Sequence, residues 1–169
     1  LDILVIHAAV YCRFVAKSEV RHWPLIGTLA TGAGTLYIER DSRRDALRVV
    51  HHMADSLKAG DVLAVFPEGT TSDGVSLLPF HGNLVQAAIS TQAPVQPVAL
   101  RYVDVATGAN SRAISYVGDE TLVGSIWRTL CARQVRADVV FGVPQAADGR
   151  DRRTWAADLR RVIEALRLL

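Results

Sequence analysis

The chain has 169 residues, of which 50% are hydrophobic, and its 19 lysines and arginines nearly balance 17 aspartates and glutamates, leaving a formal net charge of +2 at pH 7. This length predicts one domain with a substantial core, and the small net charge argues against a dedicated nucleic-acid binder. The two cysteines, Cys12 and Cys131, match no metal-binding or redox spacing and therefore indicate free thiols in a reducing compartment.

No apolar run is long enough to predict a membrane-spanning helix, which needs about 18 or more apolar residues. The nearest candidate, residues 3–12, is too short and contains His7. The chain starts at Leu1 in the middle of a pattern and without a methionine, so we expect a fragment whose N-terminal anchor or targeting segment has been removed.

Apolar runs alternate with helical patterns along the first half of the chain. They predict, in order, a strand at 13–16, a helix at 24–31, a strand at 35–38, a helix at 42–60 and a buried strand at 62–66. The long helix has the clearest limits, because Ser42 suits an N-cap, Asp45 follows in the first turn and Gly60 suits the C-terminal end.

The second half of the chain continues this alternation. It predicts helices at 84–89 and 126–132, strands at 95–100, 114–117 and 139–143, and a C-terminal helix with one apolar face formed by Trp155, Leu159, Val162, Ile163 and Leu166. Pro97 places its strand at an edge or bulge, and either Thr154 or Asp151 is suited to cap the last helix. Strands interleaved with helices predict a single-domain α/β sandwich over 1–169, with a mixed, mostly parallel sheet flanked by helices.

The most distinctive segment follows the predicted strand at 62–66 and reads Phe66-Pro67-Glu68-Gly69-Thr70-Thr71-Ser72-Asp73-Gly74. Pro67 stops a strand because it has no backbone donor, and Gly69 can adopt a backbone conformation closed to other residues. Glu68 therefore lies at the end of a strand, where α/β sheets tend to build their sites. The segment resembles the F-P-E-G-T motif of the glycerolipid acyltransferases, the family that includes lysophosphatidic acid acyltransferase.

Other segments resemble the same family, in the family's order, from Leu1 to about Tyr102. They are Leu1-Asp2-Ile3, similar to the end of an H-x-x-x-x-D motif; Phe14-Val15-Ala16-Lys17-Ser18-Glu19, similar to F-V-A-K-x-E/S and continued by Trp23 to Gly27; Gly34-Thr35-Leu36-Tyr37-Ile38-Glu39-Arg40, similar to G-x-x-F-I-x-R; and Ala93 to Leu100, similar to V-P-I-x-P-V. The first of these implies a domain truncated just after its catalytic histidine. The chain's own histidines, none of which occupies that position, are His7, His22, His51, His52 and His81.

The resemblance implies a catalytic role for two carboxylates. Asp2 would orient the upstream histidine, which would act as the general base on the acceptor hydroxyl. Glu68 would hold the glycerol part of the acceptor, while Gly69 and Thr70 would supply backbone donors.

The resemblance also implies which residues would supply positive charge to the acceptor's headgroup. Arg40 leaves a strand end beside the N-terminus of the next helix, where a guanidinium and free amides converge on a phosphate; a surface ion pair is the alternative. Lys17 either adds charge near the acceptor or is simply solvated. Thr71 stands where many members of the family have arginine, which removes a bidentate phosphate contact and favours a different acceptor.

The function implied by the resemblance is that of an O-acyltransferase. It would move a fatty acyl group from acyl carrier protein or coenzyme A to the hydroxyl of a lysophospholipid, lysophosphatidic acid above all, without a metal or prosthetic group. Lyso-ornithine lipid acylation, favoured by Thr71, and a non-catalytic lipid-binding domain are the alternatives. Because the acceptor lies in the bilayer, we expect a peripheral or monotopic protein on the cytoplasmic face of the inner membrane, with Trp23, Leu25 and Ile26 either interfacial or in the core.

Overall fold

The computed structural model describes residues 2–23, 26–38, 43–70, 76–111, 122–132 and 134–168. Its helices are α1 (Asp2–Ala9), α2 (Ile26–Gly32), α3 (Arg43–Lys58), α4 (Asn83–Thr91), α5 (Leu122–Cys131) and α6 (Arg152–Leu166), with a 3₁₀ helix at Ser18–His22. Its strands are β1 (Arg13–Lys17), β2 (Leu36–Ile38), β3 (Leu63–Ala64), β4 (Val98–Asp104) and β5 (Val135–Phe141). No helix in the described ranges has the length and hydropathy needed to cross a membrane.

Strands β1, β2 and β3 form a three-stranded parallel sheet with β1 in the centre. Lys17 of β1 pairs with Ile38 of β2, and Phe14 of β1 pairs with Ala64 of β3. Helices connect these strands, as parallel pairing requires. Since all three strands run in the same direction, their carboxyl ends meet at one edge of the sheet, from which the segments that follow Lys17, Ile38 and Ala64 depart.

Strands β4 and β5 form a separate antiparallel pair, with every residue of one strand opposite a residue of the other. The strand predicted at 95–100 begins only after Pro97, which lacks the N–H that a ladder needs, although its carbonyl accepts the Gly142 N–H at 2.8 Å. The strand predicted at 139–143 begins earlier, because its partner β4 extends to residue 104 and the ladder continues along it.

Helix α4 joins two hydrophobic clusters. Leu84 and Ala87 on one face pack with the parallel sheet and α3, whereas Val85 and Ala88 pack against α6. Residues three apart share a face of a helix, so each pair serves one cluster. The α6 cluster is built around Trp155, which is 0% exposed and removes about 150–250 Å² of surface from water, attaching α6 firmly to α4.

The predicted α/β sandwich, with parallel strands flanked by helices, is confirmed. The buried strand predicted at 62–66 is wrong in extent and burial, since β3 has only two residues and the flanking Val62 and Phe66 are 59% and 37% exposed. The pairing stops because the chain turns ahead of Pro67, which has no N–H to offer a neighbouring strand. The strand predicted at 114–117 lies outside the described residues.

The structure confirms two of the predicted helix ends, the cap of α6 and the C-terminal end of α3. Asp151 is the cap of α6, because its carboxylate accepts the N–H of Arg153 at 2.8 Å and both the N–H and the hydroxyl of Thr154, at 3.2 Å and 2.5 Å. These bonds, the Thr154 hydroxyl first, hold the pKa of Asp151 below its usual range. Gly60, at φ +90°, ends α3 as predicted, while Ser42 lies outside the described residues.

Candidate functional site

The Glu68 side chain lies in a tight turn just beyond the carboxyl end of β3. The Gly69 N–H donates to the Phe66 carbonyl at 3.2 Å, and Gly69 has φ +69°, in the left-handed region that favours glycine. Oε2 of Glu68 accepts the Leu78 N–H at 2.8 Å. Within the described part of the chain the other carboxylate oxygen has no hydrogen-bond partner, so the half-buried carboxylate can hold a ligand while remaining fixed.

Residues 77–81, which follow the turn in the chain, hold it on the side opposite β3. The His81 N–H donates to the Pro67 carbonyl at 2.8 Å. The Leu77 carbonyl accepts from Nη2 and Nε of Arg160 on α6, at 2.7 Å and 3.2 Å. The position of the Glu68 turn is therefore set by residues 77–81 and by the last helix as well as by β3.

A column of rings connects α1 to the turn. Phe66 stacks on the buried Phe14 of β1, with ring centroids 5.9 Å apart, and Phe14 lies 5.6 Å from the His7 ring of α1. Nδ1 of His7 is buried without a hydrogen-bond partner among the described residues, which fits packing of this ring rather than proton transfer.

Asp2 lies in the first turn of α1, where its Oδ1 accepts the Tyr102 hydroxyl of β4 at 2.8 Å. Burial first, and the negative charge of Asp2 second, raise the pKa of Tyr102. Asp2 is thereby tied to β4, while the contact between the Phe14 and His7 rings ties a later part of α1 to β1.

One of the two candidate cations, Lys17, lies at the carboxyl edge of the parallel sheet. Lys17 is the exposed last residue of β1, level with Ile38 at the end of β2. Arg40 follows Ile38 by two residues but lies outside the described residues, as does Thr71, so their roles stay predictions. Lys17, at the end of β1, and the Glu68 turn, just after β3, therefore lie at the carboxyl ends of neighbouring strands.

Two grooves are lined by residues that contact Asp2 or the Glu68 turn, although neither carboxylate lines a groove itself. The one of about 300 Å³ lies beside the Asp2–Tyr102 pair and is lined by Val5, Tyr102, Thr129, Ala132, Gln134, Val135 and Ala137. The other, of about 370 Å³, adjoins the Glu68 turn through His81 and is lined by Phe80, His81, Gly82, Asn83, Arg152 and Arg153. No set of three or more His, Cys, Asp or Glu side chains suited to a metal ion occurs in the residues that the structure describes.

Several of these groups gave no signal in the sequence. The Tyr102 hydroxyl meets a carboxylate 100 residues away, and Arg160 meets a carbonyl 83 residues away, so no local spacing predicts either contact. The Leu78 donor is a backbone amide, which any residue but proline provides. The Gly69 amide, predicted as a donor to the ligand, donates within its own turn, and Thr70 is exposed.

A family model described as Acyltransferase matches residues 1–101, more than half of the chain. The chain belongs to the acyltransferase family. Among the curated relatives of this chain, the 1-acyl-sn-glycerol-3-phosphate acyltransferase of Neisseria gonorrhoeae is 39% identical over 153 residues, 90% of this chain and 59% of that protein. The lyso-ornithine lipid O-acyltransferase of Pseudomonas aeruginosa is 36% identical over 167 residues, 99% of this chain and 62% of that protein. The chain thus spans about three fifths of the length of these relatives.

A solved structure has the same fold as this chain. The crystal structure of the 1-acyl-sn-glycerophosphate (LPA) acyltransferase PlsC from Thermotoga maritima superimposes with a TM-score of 0.61, covering 94% of this chain and 58% of that one at 20% identity. At that identity the likeness concerns the fold alone. The predicted membership of the glycerolipid acyltransferase family is confirmed by the family model and the curated relatives. Helix α6, with Arg160, lies beyond the residues that the family model matches.

Proposed function

We propose that the protein transfers a fatty acyl group from a thioester, acyl carrier protein or coenzyme A, to the free hydroxyl of a lysolipid. The observation that carries the proposal is the Glu68 carboxylate, which the Leu78 N–H holds by one oxygen at the carboxyl edge of the parallel sheet of an acyltransferase-family chain. The second oxygen would accept a hydroxyl of the acceptor's glycerol or equivalent group. Direct attack on the thioester needs a base, an oriented hydroxyl and donors to the developing oxyanion, and no covalent enzyme intermediate.

Asp2 would orient the general base, a histidine on its N-terminal side. Its carboxylate is itself fixed by the Tyr102 hydroxyl, as expected for a group that has to hold another in one geometry. Arg40 and Lys17 would bind the acceptor's headgroup. Arg152 and Arg153 line the groove beside the turn and would add positive charge there. This charge would compensate for the threonine at position 71, where many members of the family have arginine.

The acceptor we propose first is lysophosphatidic acid, in keeping with the name of the relative from Neisseria gonorrhoeae. Lyso-ornithine lipid is the second candidate, because relatives of that name match the chain over a similar length and identity and because Thr71 removes a phosphate-binding fork. We place the protein on the cytoplasmic face of the inner membrane, where exposed Trp23, Arg21 and Lys17 would meet lipid headgroups.

Thiol release by the full-length protein, with an acyl thioester donor and each lysolipid in turn, tests the reaction. We expect turnover with lysophosphatidic acid, and Glu68→Gln should lower kcat/KM by about tenfold to a hundredfold, the value of a hydrogen bond to a charged group. Asp55→Asn, a change of an exposed carboxylate on α3, is the matched control and should leave the rate unchanged.

Each result separates the candidates. Turnover with lyso-ornithine lipid alone would identify the second acceptor. Failure of the full-length wild-type protein with both lipids would reject the proposed reaction, and a Glu68→Gln rate equal to that of Asp55→Asn would remove Glu68 from the site.

A further inference from the structure

One peptide group connects the Glu68 turn to α6. Its N–H, from Leu78, donates to Oε2 of Glu68 at 2.8 Å, and its carbonyl, from Leu77, accepts from Nη2 and Nε of Arg160 at 2.7 Å and 3.2 Å. A charged guanidinium on the carbonyl side polarises the peptide and strengthens its N–H as a donor. The carboxylate and the guanidinium are therefore linked through a rigid planar unit rather than through flexible side chains.

The Arg160 side chain is well suited to fix this peptide. Two of its nitrogens share one carbonyl, a geometry that the planar guanidinium fork provides and an ammonium group does not. Nη2 of Arg160 also lies 2.8 Å from Oε1 of Glu164, one helical turn later, and the side chain is only 35% exposed. The fully buried Trp155 holds α6 against α4, so the guanidinium extends from a rigid support.

We propose that Arg160 is a positioning residue for Glu68, acting through the peptide group between Leu77 and Leu78. The proposal rests on the acyl-transfer function proposed above, because Glu68 matters to the reaction only if it holds the acceptor. In the absence of the guanidinium the Leu77–Leu78 peptide is free to rotate, the Leu78 N–H leaves Oε2, and the carboxylate loses the orientation that it needs to receive the acceptor's hydroxyl. The acyl donor makes no use of this contact.

The kinetic signature of this role is specific to the acceptor. Arg160→Gln should raise the KM for the acceptor about tenfold, the lower value of a hydrogen bond to a charged group, with the KM for the thioester unchanged. Arg160→Lys, which keeps the charge but not the fork, should give an intermediate value. Glu68→Asp, which shortens the carboxylate side chain, should change the same constant. A fall in kcat alone, as expected from a smaller folded fraction, would overturn the proposal.

The matched control lies on the next residue of the same helix. Arg161 is 74% exposed and pairs with Asp158, away from the turn, so Arg161→Gln should leave both KM values at their wild-type levels. Equal effects of the two glutamine substitutions would also overturn the proposal. If Arg160→Gln does not fold, Arg160→Lys is compared with Arg161→Lys by the same criteria.

Hydrogen exchange at the Leu78 amide tests the link between Arg160 and the Glu68 turn independently of any enzyme assay. The Leu78 amide should exchange faster in Arg160→Gln than in wild type and at the wild-type rate in Arg161→Gln, and equal exchange in all three proteins would refute the link. If wild type releases no thiol with either lipid while Leu78 exchange still responds to Arg160, the proposed function fails and the positioning of the Glu68 turn stands.

Discussion

Replacing Gly27 by alanine tests how closely the 3₁₀ helix after β1 packs on α2. A Cβ built at Gly27 would lie 2.1 Å from the Arg21 carbonyl oxygen and 2.7 Å from its carbon. Non-bonded carbon contacts are about 3.5–4.0 Å, so the two segments have to separate by about 1 Å or more. Overpacking of this kind costs up to about 3 kcal/mol. Alanine recovers about 1 kcal/mol of helix propensity, which leaves a net loss of about 2 kcal/mol in the free energy of unfolding.

Thermal unfolding measures this loss, since each kcal/mol lowers the melting temperature of a domain of this size by about 2–4 °C and the expected fall is about 4–8 °C. Gly32, the last residue of the same helix, is the matched control because a Cβ there meets nothing within 4 Å. Gly32→Ala should leave the melting temperature unchanged or slightly higher. Equal melting temperatures for the two variants would refute the close approach of the 3₁₀ helix to α2.

Two further predictions concern hydrogen bonds to carboxylates. Tyr102→Phe removes the donor to Asp2 and should lower kcat of acyl transfer about tenfold with little change in melting temperature, whereas an unchanged rate would show that Asp2 needs no orienting partner. Because the pKa of Asp151 is lowered in the folded state, its contribution to stability is present above the unfolded pKa near 4 and is lost as the pH falls through the folded value. Asp151→Ala should therefore melt below wild type at neutral pH, and melting scans should show this difference shrinking under acid; a difference independent of pH would contradict the assignment.

The sequence predicted those parts of the fold that depend on neighbouring residues. The alternation of strands and helices, the C-terminal end of α3 and the capping of α6 all follow from patterns within a few positions, and the structure agrees. The α6 cap could be either Asp151 or Thr154 from sequence alone, because both types accept backbone N–H bonds. Only the backbone geometry shows that Asp151 accepts both amides while Thr154 donates its hydroxyl to it.

Errors appeared where distant contacts decide the outcome. The apolar run at 62–66 reads as a buried strand, but β1 pairs with only two of its residues and the chain then turns at Phe66. In the same way, the partner of Asp2 depends on where β4 passes α1, and no local pattern contains that information. The motif around Glu68 identified the carboxylate correctly as a group at a strand end, but not the amide that fixes it.

The physical unit around Glu68 is larger than the segment that carries the family's motifs. The family model ends at residue 101, inside β4, whose ladder with β5 continues to residue 104. Helix α6 lies still further along the chain, yet it buries Trp155 against α4 and places Arg160 on the Leu77 carbonyl. The Leu78 N–H bond to Glu68 and the His81 N–H bond to the Pro67 carbonyl close the turn between β3 and α4 from within, and the Arg160 bonds to the Leu77 carbonyl add a restraint from α6. The residues after the matched segment supply that restraint, which makes the C-terminal helix part of the site's geometry rather than an appendage to the domain.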